Sequence, residues 1–324
     1  MEQLIKNSKA YSLLSSQKSR LKHAYLLLYP DAKYLRDALK IFAELFFEKQ
    51  MQTDEQKRRV SSLIQKEAYA DCIFYPEEGK KFTVANAASV EEECFLRPVE
   101  GEKKLIVIGD FSDATSEAQN KLLKLLEEPN DCVCFLLGAT SSFSVLPTVL
   151  SRVEKVEIAP FSDEEISAFL QRNTTSFTAE EIALCARSGG GIAGKSYDLL
   201  SSESFKELLN GAWEACLCTA AAVPSVVKKY GDTKYKKEFL SLLKIVFFDA
   251  LRLKSKQEGK GDLRFSPVQS EMRNLQLLTS KHTYAQLIEA QQILSNCEKQ
   301  LYFNGNFAQV LELALAKIKE SNER

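Results

Sequence analysis

Arg152 closes the run Leu-Pro-Thr-Val-Leu-Ser-Arg at 146–152. Its guanidinium is planar, permanently charged and forked, so it can hold a phosphate or a carboxylate through paired donors. Spacing alone leaves two roles open, an ion pair at the surface or contact with an anion. A loop that cradles phosphate makes a different demand. It needs glycines, so that backbone amides can close on the anion, and a lysine to reach its far end. No glycine lies between His23 and Gly79. Lys33 therefore reads as a solvated lysine at a helix start. The later segment Gly-Ile-Ala-Gly-Lys-Ser at 191–196 has a single lysine, Lys195, and no strand before it, so it reads as a turn.

Metal and nucleic-acid chemistry find less support. Cysteines stand at 72, 94, 132, 134, 185, 216, 218 and 297, with none in residues 1–71. The nearest pairs are Cys-x-Cys, which lacks the spacing of a four-ligand zinc site. They read as small buried thiols in a reducing compartment, with Cys132 and Cys134 on one strand face. His23 and His282 have no partners at ligand spacing. Lys57, Arg58 and Arg59 form a basic cluster on a charged helical stretch, 48–70, and read as a solvated face. The formal net charge is −1 over 324 residues, so no basic field announces nucleic-acid binding.

The elements that must position these residues follow from periodicity. Apolar runs at 23–29, 71–75, 104–108 and 133–137 have the composition of buried parallel strands. Helices are expected at 4–22 (ending in a basic turn of Lys18, Arg20 and Lys22), 34–47, 89–96, 116–128 and 146–150. Ser116 stands three residues before Gln119, a pairing that satisfies amides at a helix start. Strand, loop, helix and strand in alternation predict a parallel α/β sheet. A linker at 153–161 ends that domain near Pro160. Two further start signals, Ser162 with Glu165 and Thr178 with Glu181, open a three-helix lid, whose second helix stops at Gly189, Gly190 and Gly191. From 203 onward every segment reads helical: 203–222, 224–230, 233–258, 267–280, 283–302 and 306–320. A loop at 256–267 interrupts them. Trp213, Phe239, Phe247 and Phe248 are assigned to the core. The expected domains are 1–160, 161–202 and 203–324. At 45% apolar and 27% charged, the chain has a soluble, globular balance. No apolar run nears the roughly 20 residues that cross a bilayer, and the charged start is unlike a signal peptide, so a cytoplasmic protein without membrane contact is expected.

The stretch 117–152 resembles the clamp-loader branch of the AAA+ ATPases. Shared are Glu-Ala-Gln-Asn-Lys-Leu-Leu-Lys-Leu-Leu-Glu-Glu-Pro, the strand after it, and Leu-Pro-Thr-Val-Leu-Ser-Arg. His-Ala-Tyr-Leu at 23–26 resembles the family's first core strand. Pro-x-x-Gly before Lys104 and Asn-Phe-Ala-Gln-Val-Leu-Glu-Leu-Ala near the end also fit the family. The resemblance is strong at 104–152, fair at 21–29 and 306–318, and architectural between. In the family a phosphate loop follows the first strand, and Tyr29, Pro30 and Lys33 fall in the shorter, degenerate equivalent here. An acidic tetrad follows the third strand, and Gly109 takes the place of its magnesium-binding aspartate, with Asp110 next to it. Lys195 stands where an active member has an ATP-touching arginine. Relatives with a zinc module place four cysteines between the first helix and second strand, and 46–71 has none.

These departures make the chain similar to the delta-prime branch of the family, in bacterial DNA polymerase III. The resemblance implies a non-catalytic stator in a five-subunit ring, with no cofactor, no metal and no small-molecule substrate of its own. Its partners would be the gamma/tau and delta subunits and, through the complex, the sliding clamp and primer-template DNA during replication. The family places the arginine of Ser-Arg-Cys in a neighbour's ATP site, and Arg152 occupies that position, with Val153 replacing the cysteine. Two rival readings are an ATP-binding subunit of the gamma/tau type, which nucleotide titration would reveal, and a DNA-binding adaptor outside replication, which would not co-purify with gamma/tau.

Overall fold

The structure, a computed structural model, describes residues 1–17, 21–201, 205–259, 272–302 and 305–322. Lys18 and Arg20 of the expected basic turn, and 260–267 of the expected loop, lie outside them. The chain divides into two compact units, one of Met1–Glu165 with Ile192–Gly194, the other of Ile166–Gly191 with Lys195–Arg324.

The first unit is built on a five-stranded sheet of β1 (Ala24–Leu28), β2 (Cys72–Tyr75), β3 (Lys104–Asp110), β4 (Val133–Ala139) and β5 (Glu154–Glu157). Their order is β2-β3-β4-β1-β5 and every pairing is parallel. Strands β3 and β4 are buried along nearly their whole length, which is why their sequences are continuous apolar runs rather than alternating ones. Ile106 lies opposite Phe135, and Leu26 opposite Leu137. The register slips between Ile108 and Asp110, so Gly109 sits on a bulge at the end of β3.

The expected linker at 153–161 is a correction. Its residues Glu154, Lys155, Val156 and Glu157 form β5, the edge strand beside β1. The alternation of charged residues hid it, yet charges along an outer strand are what keep an edge from pairing with other chains.

Helices cover the sheet: α1 (Glu2–Lys6), α2 (Lys9–Ser16), α3 (Leu35–Ala43), α4 (Asp54–Gln65), α5 (Val84–Cys94), α6 (Ser116–Glu127) and the single turn α7 (Pro147–Leu150). The single amphipathic helix expected from 4 to 22 is therefore two short ones. Helix α3 gives way to a 3-10 segment at Glu44–Gln50. Helix α5 starts five residues before the expected 89, because Thr83 and Asn86 form a reciprocal cap. Ala87, Val90 and Cys94 of α5 and Ala118, Leu122 and Leu126 of α6 meet Ile106, Ile108, Phe135 and Leu137 in one buried cluster.

The second unit is all helical: α8 (Asp163–Asn173, whose first three residues group with the first unit), α9 (Ala179–Ser188), α10 (Ala193–Ser201, whose first two residues group with the first unit), α11 (Phe205–Leu217), α12 (Val223–Tyr230), α13 (Lys236–Gln257), α14 (Met272–Lys281), α15 (Tyr284–Tyr302) and α16 (Phe307–Asn322). Both expected caps are present. Ser162 and Glu165 exchange amide bonds at 3.2 and 2.8 Å, and Thr178 and Glu181 do so at 3.2 and 2.9 Å. Gly190 and Gly191 follow α9 at φ 62° and 79°, left-handed values that suit glycine. Helix α13 is the hub, packing on α15, α11 and α14, and Arg187 of α9 grips Asp249 of α13 through two bonds of 3.0 and 2.6 Å. Phe239 and Phe247 are fully buried and Trp213 nearly so. Phe248 departs from its core assignment. It is 41% exposed, with the Arg252 guanidinium 4.5 Å from its ring centre. Among the described residues no helix is long and apolar enough to cross a membrane.

Candidate functional site

Helix α6 places Arg152. At its N-terminal end Gln119 is 2% exposed and uses its amide fully. It donates to the carbonyls of Ala114 and Ser144 at 3.2 and 2.9 Å and accepts from the Leu146 amide at 2.9 Å. This corrects its expected role as partner of Ser116 in a cap. Thr115 caps α6 instead, accepting from the Ala118 amide, and Ser116 is the first helical residue. At the other end of α6 the Glu127 carboxylate pairs with Arg152. The residues gripping the two ends of this segment are thus about 12 Å apart along one helix.

The Arg152 guanidinium also donates to the Thr148 carbonyl at 2.6 Å and to the Ser151 hydroxyl at 3.0 Å. Its Nε is buried with no hydrogen-bond partner. The side chains of Arg152 and Glu127 are 31% and 48% exposed. A pair so open to water is worth about 0–1 kcal/mol. Arg152 is thus held in place but lightly, and an anion of higher charge could take it over.

The loop after β1 has a different filling from a phosphate loop. Tyr29 is buried, and its hydroxyl donates to Asp31 at 3.3 Å. Burial, with Asp31 beside it, pushes that phenol well above its usual range. Pro30 is exposed. Lys33 is exposed too, with its ammonium 6.0 Å from the Tyr34 ring centre, as a solvated lysine would be. Asp31 is the residue that sequence reasoning missed. Its carboxylate is 2% exposed and accepts from the Gly194 amide at 2.7 Å. Burial pushes its carboxyl up, against bonds from the amides of Gly194, Tyr34 and Lys33 and from Tyr29. The signal available was an acid between a proline and a helix start, common in ordinary turns.

Gly109 has no carboxylate, and its surroundings hold a cation. A Cβ there would lie 3.5 Å from Nη1 of Arg36. That guanidinium pairs with Glu67 at 2.6 and 2.5 Å and donates to the Pro76 carbonyl at 3.1 Å. Burial opposes ionisation of Glu67, yet Arg36 and Lys40 together hold its carboxyl below the usual range. Asp110 turns away to structural work. It accepts from the Ser112 amide at 3.0 Å and from the Thr140 amide and hydroxyl at 3.4 Å each, joining the ends of β3 and β4.

The remaining candidates are separate. Lys195 is exposed. The His23 ring lies 3.1 Å from the Leu126 carbonyl. His282 is buried against Phe247 and bonded to the Leu278 carbonyl, and burial lowers its pKa. Arg59 is paired twice with Glu100, and Lys57 faces Asp54 at 3.7 Å, as a solvated face would be. Six of the cysteines are buried, and Cys132 and Cys218 are half-buried. No three His, Cys, Asp or Glu side chains cluster as metal ligands among the described residues.

Residues 6–162 match the family described as DNA polymerase III, delta subunit. Over that stretch, just under half of the chain, it is similar to this family. Its relatives include the delta-prime subunit of Bacillus subtilis DNA polymerase III, 28% identical over 184 residues, which are 52% of this chain and 56% of that protein. The delta-prime subunit of Haemophilus influenzae is 30% identical over 107 residues, 33% of this chain and 32% of the relative. The gamma/tau subunit of Mycobacterium tuberculosis is 26% identical over 89 residues, 28% of this chain and 15% of the relative. The match therefore spans about half the length of the Bacillus relative, 56%, and less of the others. Among solved structures, a gamma subunit-related protein of DNA polymerase III from Thermotoga maritima aligns over 96% of this chain and 99% of its own, at 16% identity and a TM-score of 0.42. Over part of its length the chain is thus similar to delta-prime and gamma/tau subunits of DNA polymerase III.

Proposed function

We propose that this chain is the delta-prime subunit of a DNA polymerase III clamp loader, a stator that binds no ATP itself. In this reading it assembles with gamma/tau and delta, supports ATP-driven loading of the sliding clamp onto primed DNA, and supplies Arg152 to the ATP site of a neighbour. Residues 1–160 form its AAA+-like domain, 161–202 its lid and 203–324 the collar that holds the ring. The observation that carries the reading is Arg36 beside Gly109. A magnesium–phosphate site needs a carboxylate on the metal and amides on the phosphates. Here the position lacks the carboxylate, and the Arg36 guanidinium, paired with Glu67, occupies the space beside it. An arginine stands at 152, at the end of the Leu-Pro-Thr-Val-Leu-Ser-Arg run, in a chain without a glycine cradle of its own, which supports action on a neighbour's nucleotide.

Titration calorimetry of the isolated chain with ATP and magnesium should give no binding heat. Magnesium-dependent binding at micromolar ATP would overturn the proposal in favour of a gamma/tau-type subunit.

A further inference from the structure

The Asp31 carboxylate is surrounded entirely by donors. The Gly194 amide reaches it at 2.7 Å, the Tyr29 hydroxyl at 3.3 Å, and the amides of Tyr34 and Lys33 add to them. An ionised carboxylate accepts and does not donate, so its charged form fits this surround. The Lys33 and Tyr34 amides lie in the turn just before α3, and the Gly194 amide lies in the first turn of α10, where unpaired N–H groups and the helix dipole favour negative charge. An anion is therefore already seated in the turn that leads from β1 into α3, and it belongs to the chain.

Gly194 shows how closely the seat is built. A Cβ on it would lie 2.3 Å from Oδ1 of Asp31 and 2.9 Å from the Cβ of Lys33. Only a residue without a side chain lets this amide reach the carboxylate. Ile192–Gly194 groups with the first unit, although the residues on either side of it group with the second. The chain thus returns to the α/β unit for three residues, and the bond from Gly194 to Asp31 fastens its end there.

We propose that Asp31 is a built-in anion that fills the seat a ligand phosphate would need at the start of α3, and so determines that this subunit takes no nucleotide while keeping Gly194 fixed. The inference rests on reading 29–36 as a degenerate phosphate loop. Asp31 does through a covalently tethered carboxylate what a bound phosphate would do transiently. The tether removes any dependence on nucleotide, which suits a stator.

The test uses the full-length chain and formate, the smallest carboxylate, with chloride at equal ionic strength as control. Asp31→Ala should melt several degrees below wild type in chloride and recover much of that loss in formate. Exchange of the Gly194 amide hydrogen should speed up about tenfold or more in chloride, the factor expected for loss of a bond to a charged acceptor, and slow again in formate. Gly194→Ala should also lower the melting temperature, but formate should not restore it, because the anion is still present and only the approach is blocked. If Asp31→Ala does not fold in chloride, the same readout is recovery of folded protein in formate. Equal response of Asp31→Ala and wild type to formate, or unchanged Gly194 exchange in Asp31→Ala, overturns the inference. Magnesium–ATP binding by the wild-type chain would instead defeat the underlying reading of the loop, and the inference with it.

Discussion

Arg152→Ala, reconstituted with gamma/tau and delta, should lower ATP turnover at the site we propose it serves by on the order of a thousandfold, the scale of an arginine supplied in trans. Clamp loading falls with it. The fold should hardly change, because the exposed pair with Glu127 contributes about 0–1 kcal/mol. Assembly should survive as well, since the proposed collar lies in 203–324. Arg152→Lys should rescue poorly, because a point charge does not reproduce a planar fork. Glu127→Ala is the informative control. It removes the same ion pair but leaves the guanidinium in place on Thr148 and Ser151, so turnover should persist. Full turnover in an intact Arg152→Ala complex would return Arg152 to being the ion-pair partner of Glu127 and nothing more.

Asp71→Ala should be among the most destabilising single changes in the α/β unit. The side chain is fully buried and accepts from the amides of Val99, Glu100 and Gly101 at 2.5, 2.9 and 2.8 Å. It thereby fastens the turn that leads into β3, the strand ending at Gly109 and Asp110. Each orphaned amide in a dry site would cost about 1–3 kcal/mol. Val99 and Glu100 are exposed, so water can recover part of this. The net loss should be about 2–4 kcal/mol by urea denaturation. Asp71→Asn keeps one acceptor and should lose less. A loss below about 1 kcal/mol for alanine would mean that the turn is held by its other contacts.

The parts of this molecule that were readable in the sequence are those set by local pattern. The buried strands announced themselves as continuous apolar runs, and the Ser162–Glu165 and Thr178–Glu181 caps are satisfied within one turn, so three-residue spacing was enough to find them. Strand β5 was missed because three of its four residues, Glu154, Lys155 and Glu157, are charged, whereas the other edge strand, β2, is apolar and legible. The cap of α6 was placed one residue late, because Ser116 and Thr115 are both competent and Gln119 had a tertiary use. Asp31, Asp71 and Glu67 were unreadable for one common reason. The Gly194 amide on Asp31, the amides on Asp71 and the guanidinium on Glu67 lie 163, 28–30 and 31 residues away, and backbone amides are groups that any residue supplies. Glu67 adds a φ of 56°, a conformation that its side chain does not advertise. Arg152 was legible as a position, but Glu127 and Gln119, which hold its segment, emerged only from the fold.

The central claim is that a chain without ATP chemistry of its own completes that chemistry in another subunit. ATP turnover measured with gamma/tau, delta, clamp and primed DNA, with and without this chain, tests it most directly. The chain alone should show no turnover, and adding it to the other components should raise theirs. Turnover by the isolated chain, or turnover by the assembly that is indifferent to its presence, would contradict the account.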